Sequence, residues 1–279
     1  MSENFNKLKT ASKLKNWIAC NYTTINEINK KDLKKKQSST TEKIRKERGD
    51  EFEEKIYNKL IEQYPKHIKI KKDDDRFEKT KEAIKKGYDL IHKAHFKHNG
   101  WVGEIDFLIK DQDKKTKNGK WRYEVYDTKL SSIAKTDHII QISLYSEWIA
   151  TQQDNELPDF MYLILGKKKK DNEKKNSVIK IDEEIKQYKA QNYQLYFKHN
   201  EANYIKFLDS DKKNIQPERC SFCALCDWSD VCEEHWLEKD HLNQIAKIRK
   251  DQIIKIKNHG VKTLSQFAKL KETEKIKKE

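Results

Sequence analysis

Residues 101–130 read WVGEIDFLIKDQDKKTKNGKWRYEVYDTKL, and their alternation decides the fold. Trp101 to Ile109 places apolar residues at every second position, as a half-buried strand does, and a polar turn through Asn118-Gly119 leads into a second such run from Trp121 to Leu130. A strand from Tyr88 to Phe96 and a turn at Asn99-Gly100 precede them, so the three runs are expected to form an antiparallel meander. On the middle strand Ile105, Phe107 and Ile109 share one face, while Asp106 falls on the other with Val102 and Leu108. An ionised carboxylate among apolar neighbours is costly unless a cation or hydrogen-bond donors compensate it, so Asp106 points to a site. On the third strand Asp127 and Lys129, two residues apart, project from the same face.

Working outward, residues 5–30 read as helical, Lys30 to Thr41 as a loop, and a longer helix follows. On it Glu53, Ile56, Tyr57, Leu60, Ile61 and Tyr64 form one stripe at helical spacing, with Pro65 as the stop. Downstream, Asp137 to Thr151 has helical periodicity through Ile140, Leu144, Tyr145 and Trp148, and Phe160 to Leu165 reads as a buried strand. A charged linker over 167–215 carries a helix around Glu183 to Tyr196; Asp240 to Lys257 reads as a helix ended by Gly260, with a short helix from Val261 toward Leu270. The fold class expected is α/β, a mixed sheet flanked by helices.

The 279 residues carry 60 Lys+Arg against 46 Asp+Glu, a net charge of +14, which favours a polyanionic partner, nucleic acid first and an anionic membrane surface second. No stretch approaches the length of a signal peptide's apolar region or of a spanning helix, so a cytoplasmic protein is expected. Of five cysteines, Cys20 stands alone and Cys220, Cys223, Cys226 and Cys232 form a C-x2-C-x2-C-x5-C string. In a reducing compartment such density reads as metal ligation, either a closed zinc site on the four local thiolates or a [4Fe-4S] cluster.

Glu53, Asp106 and Asp127, with Lys129 beside the last, are hard oxygen donors that select Mg²⁺ or Mn²⁺, the ions of metal-assisted phosphodiester cleavage. With Gly49-Asp50-Glu51-Phe52-Glu53, Gly103-Glu104-Ile105-Asp106, Asp127-Thr128-Lys129 and Gln141-Ile142-Ser143-Leu144-Tyr145 in this order, the chain resembles the PD-(D/E)XK nucleases, and within them the RecB-like group. The resemblance implies a restriction-endonuclease-like core at about 42–166. It implies that Glu53, Asp106 and Asp127, with the Thr128 carbonyl, hold one or two Mg²⁺ or Mn²⁺ ions, that Lys129 serves the nucleophilic water, and that Gln141 and Tyr145 organise the site and DNA. Many members carry a histidine near the first helical motif, where this chain has Phe52 or Glu53.

The cysteines resemble the layout of the AddB and CRISPR-associated exonuclease branch, one before the nuclease core and a C-x2-C-x5-C set after it. That resemblance implies a [4Fe-4S] cluster on Cys20, Cys223, Cys226 and Cys232; zinc on Cys220, Cys223, Cys226 and Cys232 is the alternative. Bacterial RecB-like nucleases also share Cys226-Asp227-Trp228 ahead of Asp240-His241-Leu242. The implied organisation is a nuclease domain over 1–245, closed by Cys20 with 223–232, and a helix-hairpin-helix-like tail over 246–279 with His259-Gly260-Val261 at its turn. The implied function is a metal-dependent DNA nuclease, an exonuclease acting on single-stranded DNA or DNA ends, with a helicase or an RNase H-like exonuclease module as partner. The alternatives are a non-catalytic DNA-binding module and a zinc-stabilised nucleic-acid adaptor.

Overall fold

A computed structural model describes residues 9–30, 33–36, 40–168 and 181–270. The chain divides into two compact units, Met1–Lys15 with Ser39–Leu208, and Asn16–Ser38 with Asp209–Glu279. The cysteine string thus groups with the C-terminal hairpin.

The first unit is built on a mixed six-stranded sheet in the order β1-β2-β3-β4-β5-β6. Helices α1 (Ala11–Ala19), which begins in this unit, α2 (Tyr22–Ile28), which lies in the second, and α3 (Thr40–Gln63) precede it. The strands are β1 (His67–Lys69), β2 (Leu90–His98), β3 (Trp101–Lys115), β4 (Trp121–Lys129), β5 (Phe160–Lys168) and β6 (Ile181–Lys189). β2, β3 and β4 form the expected antiparallel meander. Helix α4 (Arg76–Lys85) joins the parallel pair β1 and β2, and α5 (Thr136–Gln152) joins the parallel pair β4 and β5, because a parallel return needs a crossover. Helix α6 (Ala190–Asp209) follows β6.

The apolar stripe of α3 does what its spacing dictates. Phe52 and Ile56 are buried against Leu90, Phe107, Ile109 and Ile164, with Tyr57, Leu60, Ile61 and Tyr64 at the margin. Each such side chain contributes about 1.5–3 kcal/mol when fully buried, so the helix is fixed in rotation and Glu53, 8% exposed, is carried inward with its neighbours. Further along β2, Phe96 packs on Tyr145 and Trp148 of α5, at 5.5 and 5.7 Å between ring centres. Gly103 makes room for it, since a Cβ there would lie 2.5 Å from the Phe96 ring.

Several elements depart from the sequence reading. The helix expected over Glu183 to Tyr196 is instead the strand β6, antiparallel to β5, and helix begins only at Ala190. The helix expected over 5–30 is two helices broken at Cys20, whose carbonyl accepts the Thr23 amide at 3.2 Å; residues 5–8 lie outside the described residues. Residues 31–32 and 37–39 of the expected loop, and 169–180 of the expected linker, also lie outside them.

In the second unit α7 (Ser229–Glu238), α8 (Lys250–Asn258) and α9 (Leu264–Ala268) are described, with short 3-10 turns at Ser221–Leu225 and Leu242–Gln244. The helix expected from Asp240 is confined to Lys250–Asn258. Asp240, with φ 47°, is committed elsewhere: its carbonyl accepts the Leu264 amide and its carboxylate the Ser265 amide. The hairpin closes on Leu242, Ile253, Ile256 and Val261.

Candidate active site

The pairing of β3 with β4 runs from Lys115–Trp121 to Phe107–Tyr126. Asp106 and Asp127 are the next residue on each strand, and there the carboxylate of Asp106 takes over from the ladder. Its Oδ2 accepts both the amide and the hydroxyl of Thr128, each at 2.7 Å. β4 continues alongside β5 through Asp127–Leu163 and Lys129–Leu165, which seals Asp127 at 0% exposure. Period-2 alternation then brings the Lys129 ammonium onto Asp127 Oδ2 as an ion pair.

From α5, Gln141 donates its amide Nε2 to Asp127 Oδ1 at 3.0 Å and to the Tyr145 hydroxyl at 2.8 Å. The two residues are one turn apart, so a single helix face delivers both. Asp106, Asp127, Thr128, Lys129, Gln141 and Tyr145 are therefore together, supplied by two strands and one helix.

Burial, followed by the neighbouring Asp127 and Glu53 carboxylates, pushes Asp106 up to about 7. Burial also raises the Tyr145 hydroxyl, which stays neutral. Lys129 is drawn the other way: burial works against its charge, but Asp127 and Asp106 outweigh it and hold the ammonium above its usual range. A lysine kept protonated can steady developing negative charge and orient a water, but cannot act as a general base.

Glu53 is differently placed. His92 Nε2 donates to its Oε1 at 2.8 Å, and Lys93 Nζ donates to its Oε2 at 2.6 Å. Burial acts to raise Glu53, but these two donors together keep its carboxyl below the usual range. The His92 ring, fully buried beside Tyr57 and Phe107, is held neutral by that burial. Neither His92 nor Lys93 was among the residues singled out by sequence. His92 sits in an apolar strand, 39 residues from its partner, and only the docking of α3 on β2 brings them together.

Among the described residues no group of three or more His, Cys, Asp or Glu side chains is disposed to hold a metal ion. What stands together is a pair of carboxylates, Asp106 and Asp127, with the Thr128 backbone. Mg²⁺ commonly uses one or two carboxylates and fills its remaining positions with water and substrate phosphate, so this donor set fits it. Asp106 takes both of its donors on Oδ2, which leaves its Oδ1 for such an ion, while the Lys129 ammonium already sits on Asp127 Oδ2. Gln141 orients Asp127 through its other oxygen, and loss of such a supporting bond typically costs about 10–100-fold in metal affinity or activity. Gln141→Ala is accordingly expected to weaken Mn²⁺ binding by about that factor; a titration matching the parent protein would remove the positioning role.

The start of α5 also carries a pH-sensitive contact. His138 Nδ1 accepts the Lys135 amide at 3.3 Å, and burial pulls its pKa down to about 4. Above its unfolded value of about 6.5 the ring is neutral in both states. Below it the unfolded chain gains a proton that the folded one refuses, so stability falls as pH drops from about 6.5 toward 4, by about 2 kcal/mol. Urea unfolding at about pH 7 and 4.5 should show His138→Gln losing less than the parent by about that amount. Equal losses would remove His138 from the account.

In the second unit all five cysteines are free and half-buried. Cys220 and Cys223 place their sulfurs 3.9 Å apart. Burial raises Cys20, with Cys223 and Cys226 adding to the effect, and burial with Cys226, Cys20 and Cys223 pushes Cys232 up to about 12. All five thiols are thus electrostatic neighbours, Cys220 acting on Cys223 and Cys226 as Cys223 and Cys226 act on Cys20 and Cys232. Trp228 buries its ring behind them, with Nε1 donating to Glu27 at 3.1 Å, and Asn26 donates to Cys232 Sγ at 3.9 Å. Helix α2 is thereby tied to the string.

No protein-family model matches the chain, and no curated protein matches it.

Proposed function

We propose that this chain is a metal-dependent nuclease of the RecB-like PD-(D/E)XK type. The observation that carries the reading is the convergence of Asp106, Asp127, Lys129 and Gln141, from β3, β4 and α5, on one buried position. Asp106 and Asp127, with the Thr128 carbonyl, are the residues that would hold Mg²⁺ or Mn²⁺, whose chemistry is to lower the pKa of water and neutralise phosphate charge. Lys129 orients the attacking water and stabilises charge on the scissile phosphate. Gln141 fixes Asp127, and Tyr145 fixes Gln141. The net charge of +14 suits phosphate contacts that are blind to sequence.

The family resemblance extends the reading to exonucleolytic action on single-stranded DNA or DNA ends, in the cytoplasm, with a helicase or RNase H-like exonuclease module as partner. Among the described residues no helix is long and apolar enough to cross a membrane. Degradation of end-labelled single- and double-stranded DNA with Mg²⁺ or Mn²⁺ tests the activity, and the label pattern gives polarity. Inert protein under all these conditions would favour a DNA-binding module instead.

For the cysteines we infer a [4Fe-4S] cluster on Cys20, Cys223, Cys226 and Cys232, supported by the family layout and by the grouping of Cys20 with the string in the second unit. Zinc on Cys220, Cys223, Cys226 and Cys232 has its own support, because thiolates on one zinc ion sit about 3.8 Å apart and Cys220 and Cys223 are 3.9 Å apart. Metal analysis and the visible spectrum of anaerobically purified protein separate the two.

A further inference from the structure

Lys93 occupies an unusual position. Within β2 it adopts φ 60°, a left-handed conformation that costs a residue with a Cβ about 1–2 kcal/mol and is found where the surroundings enforce it. The register on either side, His92 with Phe107 and Ala94 with Ile105, sets it across from Asp106. Its ammonium lies 2.6 Å from Glu53 Oε2 and 3.3 Å from Glu104 Oε1, with Asp106 as a further negative neighbour. Glu104 is also 3.8 Å from Arg76, and the second oxygen of Glu53 is taken by His92. Three carboxylates from α3 and β3 therefore surround one ammonium, and both oxygens of Glu53 are engaged.

We propose that Lys93 is a resident cation filling the Glu53 side of the centre, so that the chain takes a single divalent ion, at Asp106 and Asp127, and Glu53 anchors the lysine instead of ligating metal. The proposal rests on the reading of Asp106 and Asp127 as an ion site. At buried Glu53 both oxygens accept donors and one of these is the Lys93 ammonium, so an ion there would have to displace it, whereas Asp106 takes its donors on Oδ2 alone and keeps Oδ1 for an ion. Removing the ammonium frees Glu53 and Glu104 beside Asp106, a set of hard oxygen donors suited to a second ion.

The test counts ions by Mn²⁺ titration with electron paramagnetic resonance, on the full chain as purified, for the parent, Lys93→Ala, Lys93→Gln and Glu53→Gln. Lys93→Gln preserves size and a donor to Glu53, and serves if the alanine variant does not fold. The parent and Glu53→Gln should bind one ion per chain, and the lysine variants two, with a larger rise in melting temperature on adding Mn²⁺. Two ions on the parent, or one on parent and lysine variants alike, would overturn the lysine assignment and leave the nuclease reading standing. No ion on any of these proteins would overturn both.

Discussion

Lys129→Ala is expected to lower the rate of Mg²⁺- or Mn²⁺-dependent phosphodiester cleavage by about 10³-fold, with substrate affinity changed far less. Lys129 is held charged by Asp127 and Asp106, and in the folded protein its ammonium lies on Asp127. A fixed positive charge in a water-poor site stabilises charge that develops only in the transition state, so its loss appears in turnover and not in binding. Asp127→Asn should be at least as damaging, because the amide removes the charge that a divalent ion needs while Gln141 is left facing a group of the same shape. Removing one partner of a buried ion pair also costs about 3–5 kcal/mol of stability, so folding of each variant must be checked by circular dichroism. Folded variants that cleave like the parent would sink the assignment of the centre.

The second large effect belongs to the cysteines. If the cysteines hold a metal as proposed, Cys226→Ala, or stripping of that metal, is expected to unfold the second unit while the sheet of the first stays intact. The 3-10 turn Ser221–Leu225 has no buried residue and Leu225 is exposed, so apolar burial alone does little to hold the string. Metal binding to such ligands is folding free energy, and the raised thiols must release their protons to bind it. A loss of only 3 kcal/mol would lower the melting temperature of a small unit by roughly 10 °C or more. Differential scanning calorimetry should show one transition moving and another staying. Cys220→Ala discriminates further: metal content unchanged supports the cluster that includes Cys20, and metal lost supports zinc. A Cys226→Ala protein with unaltered metal and melting behaviour would end both readings.

The meander and the Asp106, Asp127 and Lys129 constellation were legible because strand alternation fixes facing from sequence spacing alone. Gln141 and Tyr145 stand out only through the family resemblance, and helical spacing adds that they share one face. β6 was not: Ile181, Ile185 and Tyr188 are spaced as on a helix, and the segment is rich in Glu and Lys. It is an edge strand, where charge is tolerated because among the described residues no strand pairs with its outer side, and Ile185 remains largely exposed. β1, three residues long, and α4, with only Thr80, Ala83 and Ile84 buried, gave too weak a pattern to read. The Glu53–His92–Lys93 group was hidden because it depends on helix docking and on a left-handed residue inside a strand, neither of which has a periodic signature.

The second unit draws on two stretches of chain, 16–38 and 209–279, with the whole sheet encoded between them. During translation, at roughly 5–20 residues per second, Cys20 emerges many seconds before the other four cysteines exist. For that interval Cys20 and the helix that follows it lack the partners that 209–279 will supply. If the cysteines hold a metal as proposed, their loading follows synthesis of the whole sheet, and a cell short of that metal would accumulate chains with a finished sheet and an open, protease-accessible second unit.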